Sequence, residues 1–187
     1  MDTDETVWAE REFIGHDFRD EDLSRLRTDR VVFDECDFRG VDLTESVHVG
    51  SAFRNCTFER AILHHSSFRQ CSMLGSVFTH ARLRPLMLDD VDFTLAVLGG
   101  CDLRGVDLSG CRLREAGLVD ADLRKAVLRG ADLAGARVQN ARLDEVDLRG
   151  ARIDPTLWTT ATVRGAKIDV DQALAYAAAH GLDIQGG

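Results

Sequence analysis

Self-similarity at a five-residue period constrains this chain more than any other property of it. With Leu103, Leu108, Leu113, Leu118, Leu123, Leu128 and Leu133 as centres, the frame runs back through Phe93, Phe78, Phe68, Phe58, Phe53, Phe38, Phe33 and Phe18 to Phe13. Forward, it passes Leu143, Leu148, Ile153 and Val163 to Ile168. About 30 of roughly 32 centres are apolar, Thr28 and His48 being the exceptions, and no insertion breaks the frame. An amphipathic helix repeats near 3.6 residues and a half-buried strand at two, so neither accounts for a period of five. It requires a coil with corners. Two residues before the centres lies a second small or apolar position, as in Cys36, Val41, Ala61, Val91, Val106, Ala121 and Ala131. Centre and centre minus two share one strand face and point inward together, while the other residues of the pentad turn the corner and meet water. Glycine at centre plus two, for example Gly40, Gly105 and Gly130, suits such a corner.

The cysteines test the frame independently of the leucines. Cys36, Cys56, Cys71, Cys101 and Cys111 all fall at centre minus two, a coincidence of roughly one in three thousand among five registers, and all nine phenylalanines fall at centres. The position reads the cysteines as small core residues rather than a metal or redox site. Five unpaired cysteines suit a reducing compartment. Residues 1–5 are acidic where a signal peptide would be basic, and no run of about 18 apolar residues occurs, so a cytoplasmic protein is expected. A formal charge of -9, from 23 basic and 32 acidic side chains, argues against direct contact with nucleic acid or an anionic membrane and points to a basic partner.

The units Ala131-Asp132-Leu133-Ala134-Gly135 and Ala121-Asp122-Leu123-Arg124-Lys125 resemble the consensus of the pentapeptide-repeat family, Ala-Asp/Asn-Leu-X-X, and the resemblance extends from Phe13 to Ile168. The unbroken array, Pro85 within Arg82-Leu83-Arg84-Pro85-Leu86, and the closing Ala-rich segment are similar to the mycobacterial fluoroquinolone-resistance members of that family. The resemblance implies an all-β, right-handed quadrilateral β-helix with four pentads per coil. Residues 20 apart then stack, and the column Trp8, Thr28, His48, Phe68, Leu88, Leu108 brings the two polar centres together. Each would cost about 1 to 3 kcal/mol if buried alone, which a mutual hydrogen bond offsets. The β-helix is expected over residues 1–168, with 1–7 loose, followed by a C-terminal segment over 169–187 containing a short α-helix. Asp169 or Asp171 can cap that helix and Gly181 can end it. A lid of this kind shields the open last coil. The resemblance adds a second role, end-to-end joining of two solenoids into a homodimer, with Leu174, Tyr176, Ala177 and Ala178 as contacts.

No catalytic constellation is visible, so a binding protein without cofactor or metal is expected rather than an enzyme. His64 and His65 follow the centre Leu63 onto a corner with no zinc motif, Ser66 and Ser67 lack a nucleophile elbow, and Asp89, Asp90 and Asp92 lack the spacing of a calcium loop. Function is therefore sought on the outer surface. The position before the centre is repeatedly Asp: Asp17, Asp22, Asp37, Asp42, Asp92, Asp102, Asp107, Asp122, Asp132 and Asp147. Eight coils at about 4.8 Å give a rod of roughly 38 Å. B-DNA of that length carries about 22 phosphate charges, so a duplex mimic built on this chain must concentrate its acids on particular faces. Asp89, Asp90, Asp92, Asp102, Asp107, Asp122, Asp132 and Asp147 are the candidate partner contacts, with about half of the repeat aspartates expected to serve the turns instead. The resemblance implies binding to DNA gyrase at a site meant for duplex, lowering fluoroquinolone action. Gyrase holds duplex at its cleavage saddle and at its ATPase gate. The sequence does not decide between them, although the lack of projecting loops favours the ATPase-gate subunit. An adaptor solenoid with a partner unrelated to topoisomerases is the alternative.

Overall fold

A computed structural model describes residues 6–184. The chain winds as a right-handed β-solenoid whose coils stack in parallel with a register of 20 residues, as in Val7↔Arg27, Arg27↔Val47 and Val47↔Ser67. Two of the four sides carry short strands. The first side holds β1 (Val7–Ala9), β3 (Arg27–Asp29), β5 (Val47–Val49), β7 (Ser66–Arg69) and β8 (Leu86–Asp89), and the second holds β2 (Glu12–Ile14), β4 (Val32–Asp34) and β6 (Ala52–Arg54). Elsewhere single residues bridge the coils at the same step, from Asp17↔Asp37 to Asp147↔Lys167. Residues 1–5 lie outside the description. Val7 already belongs to β1, paired with Arg27, where the sequence led us to expect a loose segment through residue 7.

The centres fill the interior. Phe33, Phe53, Leu123 and Leu143 are at most 1% exposed, and burial on this scale contributes about 1.5–3 kcal/mol per side chain. Phenylalanines one coil apart stack face to face, with centroids 4.9 Å apart for Phe18 and Phe38, 4.8 Å for Phe38 and Phe58, and 4.9 Å for Phe58 and Phe78. That stack ends where Leu98 succeeds Phe78. An apolar cavity of about 10 Å³ lies there, between residues that include Phe78, Leu86, Leu88 and Leu98. Cysteine and serine at centre minus two are buried, and in Cys36, Cys56, Cys71, Cys101, Ser66 and Ser76 the S–H or O–H group donates to the carbonyl of a centre in the coil below. Cys101 reaches Phe78 O at 3.1 Å, Ser66 reaches Leu43 O at 2.8 Å and Ser76 reaches Phe53 O at 2.9 Å.

The corners hold a regularity that glycine alone does not reveal. From Glu10 to Gly165 every fifth residue has φ between 49° and 72°, except Pro85, Pro155 and Thr160. Eighteen of these left-handed residues are not glycine, among them Leu95 at 61° and Lys125 at 61°. The corner geometry is thus imposed on whatever residue occupies it, at a cost of roughly 1 kcal/mol for an L side chain.

Near the C-terminus the pentads are interrupted. α1 (Leu157–Thr160) replaces a strand-like rung after Pro155, yet Thr160 O still accepts from Asn140 N, so the 20-residue register survives. Then α2 (Val170–Ala179) seals the last coil. Asp169 caps it: its carboxylate accepts from Gln172 N at 3.0 Å while Gln172 Oε1 accepts from Asp169 N at 3.1 Å. Gln172 is 7% exposed, and its Nε2 donates to Leu148 O at 2.7 Å and Ala151 O at 2.9 Å, supplying donors that a further coil would have provided. Gly181, with φ of 79°, follows the helix end at His180.

Candidate partner-binding surface

The repeat aspartates are built into the turns. In all ten, the carboxylate accepts from the backbone N–H two residues on, as in Asp22 from Ser24 at 3.0 Å, Asp107 from Ser109 at 2.9 Å and Asp132 from Ala134 at 3.0 Å. The expectation that about half would serve the turns was therefore too low. The cause is local: the position before the centre faces outward at the start of the corner, within reach of the next free N–H.

The eight aspartates singled out from the sequence are spread over three sides, and seven of them sit beside arginine. Asp89 lies 3.3 Å from Arg69, Asp90 3.5 Å from Arg112, Asp92 3.3 Å from Arg112 and Asp132 3.0 Å from Arg114. Asp102 is held by Arg84 and Arg104, Asp122 by Arg124 with Arg104 and Arg142 farther off, and Asp147 by Arg129 and Arg149 at 2.7 Å each. Asp147 is also buried. Asp107 has Ser109 Oγ instead. Bonds from Arg104, Arg124 and Arg149 hold Asp102, Asp122 and Asp147 well below the usual carboxylate range. These positions are anionic, with the charge offset locally.

The uncompensated charge lies elsewhere. Residues 1–50 hold 15 acidic against 6 basic side chains, whereas residues 51–187 hold 17 of each. Among the described residues, Glu12, Asp20, Glu21, Asp22, Glu35 and Asp42 in the first coils form no ion pair, and only Asp42 of the six is not fully exposed. A running sum of charge along the chain would have found this end of the rod. Attention to the Asp-Leu motif, which is densest later in the chain, passed over it.

The polar interior is closed to partners. His48 is fully buried, with Nδ1 2.8 Å from Thr28 Oγ1 and Nε2 2.9 Å from Ser46 Oγ, and Thr28 Oγ1 also lies 2.8 Å from Ser51 Oγ. The pairing expected from the 20-residue stacking is present. Burial with no carboxylate partner depresses the His48 pKa to about 3. Burial likewise pushes the thiols up, to about 12 for Cys56 and Cys101 and about 11 for Cys71 and Cys111, so they are poor nucleophiles. Among the described residues, no cluster of three His, Cys, Asp or Glu could hold a metal, and no helix is long and apolar enough to cross a membrane.

The outer face of α2 is apolar. Val170 and Leu174 are 76 and 46% exposed, and with the exposed Ala178 they recur every four residues as one stripe along α2; Leu182 and Ile184, exposed as well, follow the helix. Of the four contacts chosen from the sequence, Leu174 and Ala178 lie on this stripe. Ala177 is half-buried, and Tyr176 packs edge-on against Trp158 at 5.6 Å. Val170, Leu182 and Ile184 were missed because they flank the Ala-rich run that marked the helix.

A loop-free, four-sided coil of five-residue units defines a repeat-built solenoid scaffold. The description "Pentapeptide repeat region" matches residues 61–138, and "Pentapeptide repeats (8 copies)" matches 36–75 and 126–154, together more than half of the sequence; the chain belongs to the pentapeptide-repeat family. It is 74% identical over 62 residues to the pentapeptide repeat protein MfpA of Mycolicibacterium smegmatis and 71% identical over 58 residues to MfpA of Mycobacterium tuberculosis. These stretches span 33% and 31% of this chain and 32% of each relative. Among solved structures, trypsin-treated QnrB1, a plasmid-mediated fluoroquinolone resistance protein, aligns over 96% of this chain and 98% of its own with a TM-score of 0.54 at 20% identity. Full-length QnrB1 gives 0.51 over 94% and 100% at 20% identity. At that identity the likeness is one of fold.

Proposed function

We propose that this chain binds DNA gyrase in place of duplex DNA and so lowers the action of fluoroquinolones on that enzyme. The observation that carries the reading is the 74% identity to mycobacterial MfpA over 62 residues, 33% of this chain. The geometry supports it with a straight, loop-free rod of roughly 38 Å whose surplus negative charge can meet a basic DNA-binding surface. The contacts we favour are the unpaired carboxylates Glu21, Asp22, Glu35 and Asp42. The arginine-paired set from Asp89 to Asp147 is secondary, because a basic partner must first displace an arginine. The exposed stripe of Val170, Leu174 and Ala178, with the exposed Leu182 after it, supports end-to-end homodimerisation through the C-terminal segment, which doubles the rod and places an acidic tip at each end. The missing loops favour the ATPase-gate subunit over the cleavage saddle.

The test is competition. Labelled protein bound to gyrase at low salt should be released by linear duplex. The triple variant Glu21→Lys, Asp22→Lys, Asp42→Lys should bind at least tenfold more weakly, and its loss of affinity should shrink as salt rises. Binding that duplex does not disturb would overturn mimicry. Undiminished binding of the triple variant, with loss on changing Asp89, Asp90 and Asp107 to Asn, would move the contact to the middle of the rod.

A further inference from the structure

The fourth side of the solenoid, carrying the centres Leu43, Leu63 and Leu83, holds an order of charges along the rod from which the turns and the gyrase reading take Asp42 but not Ile62 or Arg82. Three outward residues stack there on successive coils, Asp42 bridging Ile62 and Ile62 bridging Arg82. Ile62 is partly exposed, and neither Asp42 nor Arg82 forms an ion pair among the described residues, although arginines beside most other repeat aspartates do so. Asp42 bonds only to Thr44 N, at 2.8 Å. Arg82 is exposed. Over these three coils the column therefore reads negative, apolar, positive along the rod axis, at steps of about 4.8 Å; Asp22 precedes it, and Asp102, held by Arg84 and Arg104, follows. The next column carries Thr44, His64 and Arg84, and the corner beside it Glu45, His65 and Pro85.

A pattern that changes sign about a central apolar residue is complementary to itself under a two-fold axis lying across the rod. We propose that a second copy of this chain packs laterally and antiparallel on this side, centred on Ile62. In that arrangement Ile62 meets its own copy and Asp42 of each chain faces Arg82 of the other. The contact is isologous, so it closes on two chains and does not propagate by itself. Its occupant follows from the order of charges. A simple anion would suit Arg82 but be repelled by Asp42 on the same side, and a simple cation would meet the reverse difficulty. Flatness permits the approach, since no loop projects from these coils and the coil-to-coil step is uniform. The patch spans three coils, well below the size of a permanent interface, so the pairing is weak, concentration-dependent and sensitive to salt. It is separate from end-to-end pairing through α2.

The experiment uses full-length protein carrying Leu174→Asp, which removes the proposed end contact, so that loss of either association is seen alone. Sedimentation at high protein concentration should show this chain in monomer–dimer exchange at about 50 mM salt and monomeric at about 500 mM. Adding Arg82→Asp should weaken the association at least tenfold, as should Asp42→Arg, whereas the double exchange Asp42→Arg with Arg82→Asp restores the inverted pattern and with it the dimer. Ile62→Cys should give a disulfide-linked dimer on mild oxidation, because the five native cysteines are buried. A monomer at every concentration and salt, with no cross-link through Ile62→Cys, overturns the proposal. So does a dimer that survives both single reversals unchanged, since self-association would then use another surface. If only the Leu174→Asp change alters the mass of the parent, end pairing stands and lateral pairing falls.

Discussion

Acidification should loosen this protein well before its carboxylates titrate, through one histidine. His48 is wholly buried, its ring partners are hydroxyls, and its folded-state pKa is about 3 against an ordinary value of 6.5. A buried imidazole held neutral favours the folded state fully above pH 6.5. Below that, the unfolded chain takes up a proton that the folded chain refuses, so stability falls with decreasing pH by up to about 1.4 kcal/mol per unit until the folded pKa is reached. Between pH 7.5 and pH 5.0 this amounts to about 2 kcal/mol. The window matters, because the aspartates held low by arginine remain ionised throughout it. The assay is urea unfolding of the parent and of His48→Phe at both pH values. The variant forfeits the bonds to Thr28 and Ser46, so it starts less stable, but its pH slope should be flatter by the stated amount. The other five histidines are common to both proteins and cancel. Equal slopes, or a His48 resonance titrating near pH 6.5 in the folded protein, would refute the reasoning and mean that water or a counter-charge reaches the ring.

Other perturbations probe the packing. Leu123→Asp places a carboxylate at a fully buried centre and should cost several kcal/mol, read as loss of the cooperative transition; melting like the parent would show that Leu123 is not inside. Gln172→Leu keeps the bulk but strands the carbonyls of Leu148 and Ala151, and should cost about 1–3 kcal/mol, with hydrogen exchange accelerating first in the last coil. Leu95 is exposed with φ of 61°, so Leu95→Gly relieves strain that exceeds the entropy glycine adds to the unfolded chain; a gain of about 0.5 kcal/mol is expected in thermal unfolding, whereas Gly105→Val at the equivalent corner should destabilise by more than 1 kcal/mol.

The period, the identity of the core residues and the Thr28–His48 contact were legible because each follows from one number, the spacing of apolar side chains. What lay beyond it needed the third dimension. Trp158 occupies a centre in the frame, yet Pro155 and the absence of an inward residue at Thr156 let α1 form without disturbing the register, which a one-dimensional pattern cannot register. Left-handed corners at Glu115, Lys125 and Asn140 were hidden because the position tolerates many residues while imposing one conformation. Most of all, the aspartates looked like a free acidic surface. Their arginines stand 2, 18, 20 or 22 positions away, and only the folded coil brings Arg84 to Asp102 or Arg114 to Asp132.

The concentration of excess acid in the first coils also makes the rod an electric dipole. At physiological ionic strength a charge is felt over about 8 Å, a small fraction of a rod roughly 38 Å long. An approaching basic protein therefore experiences a strongly anionic tip and a shaft that is locally almost neutral, and the resulting torque turns the tip toward it before contact. Encounter is then selective for direction as well as for sign: the array delivers one end first, and the coils behind it follow along an axis already set.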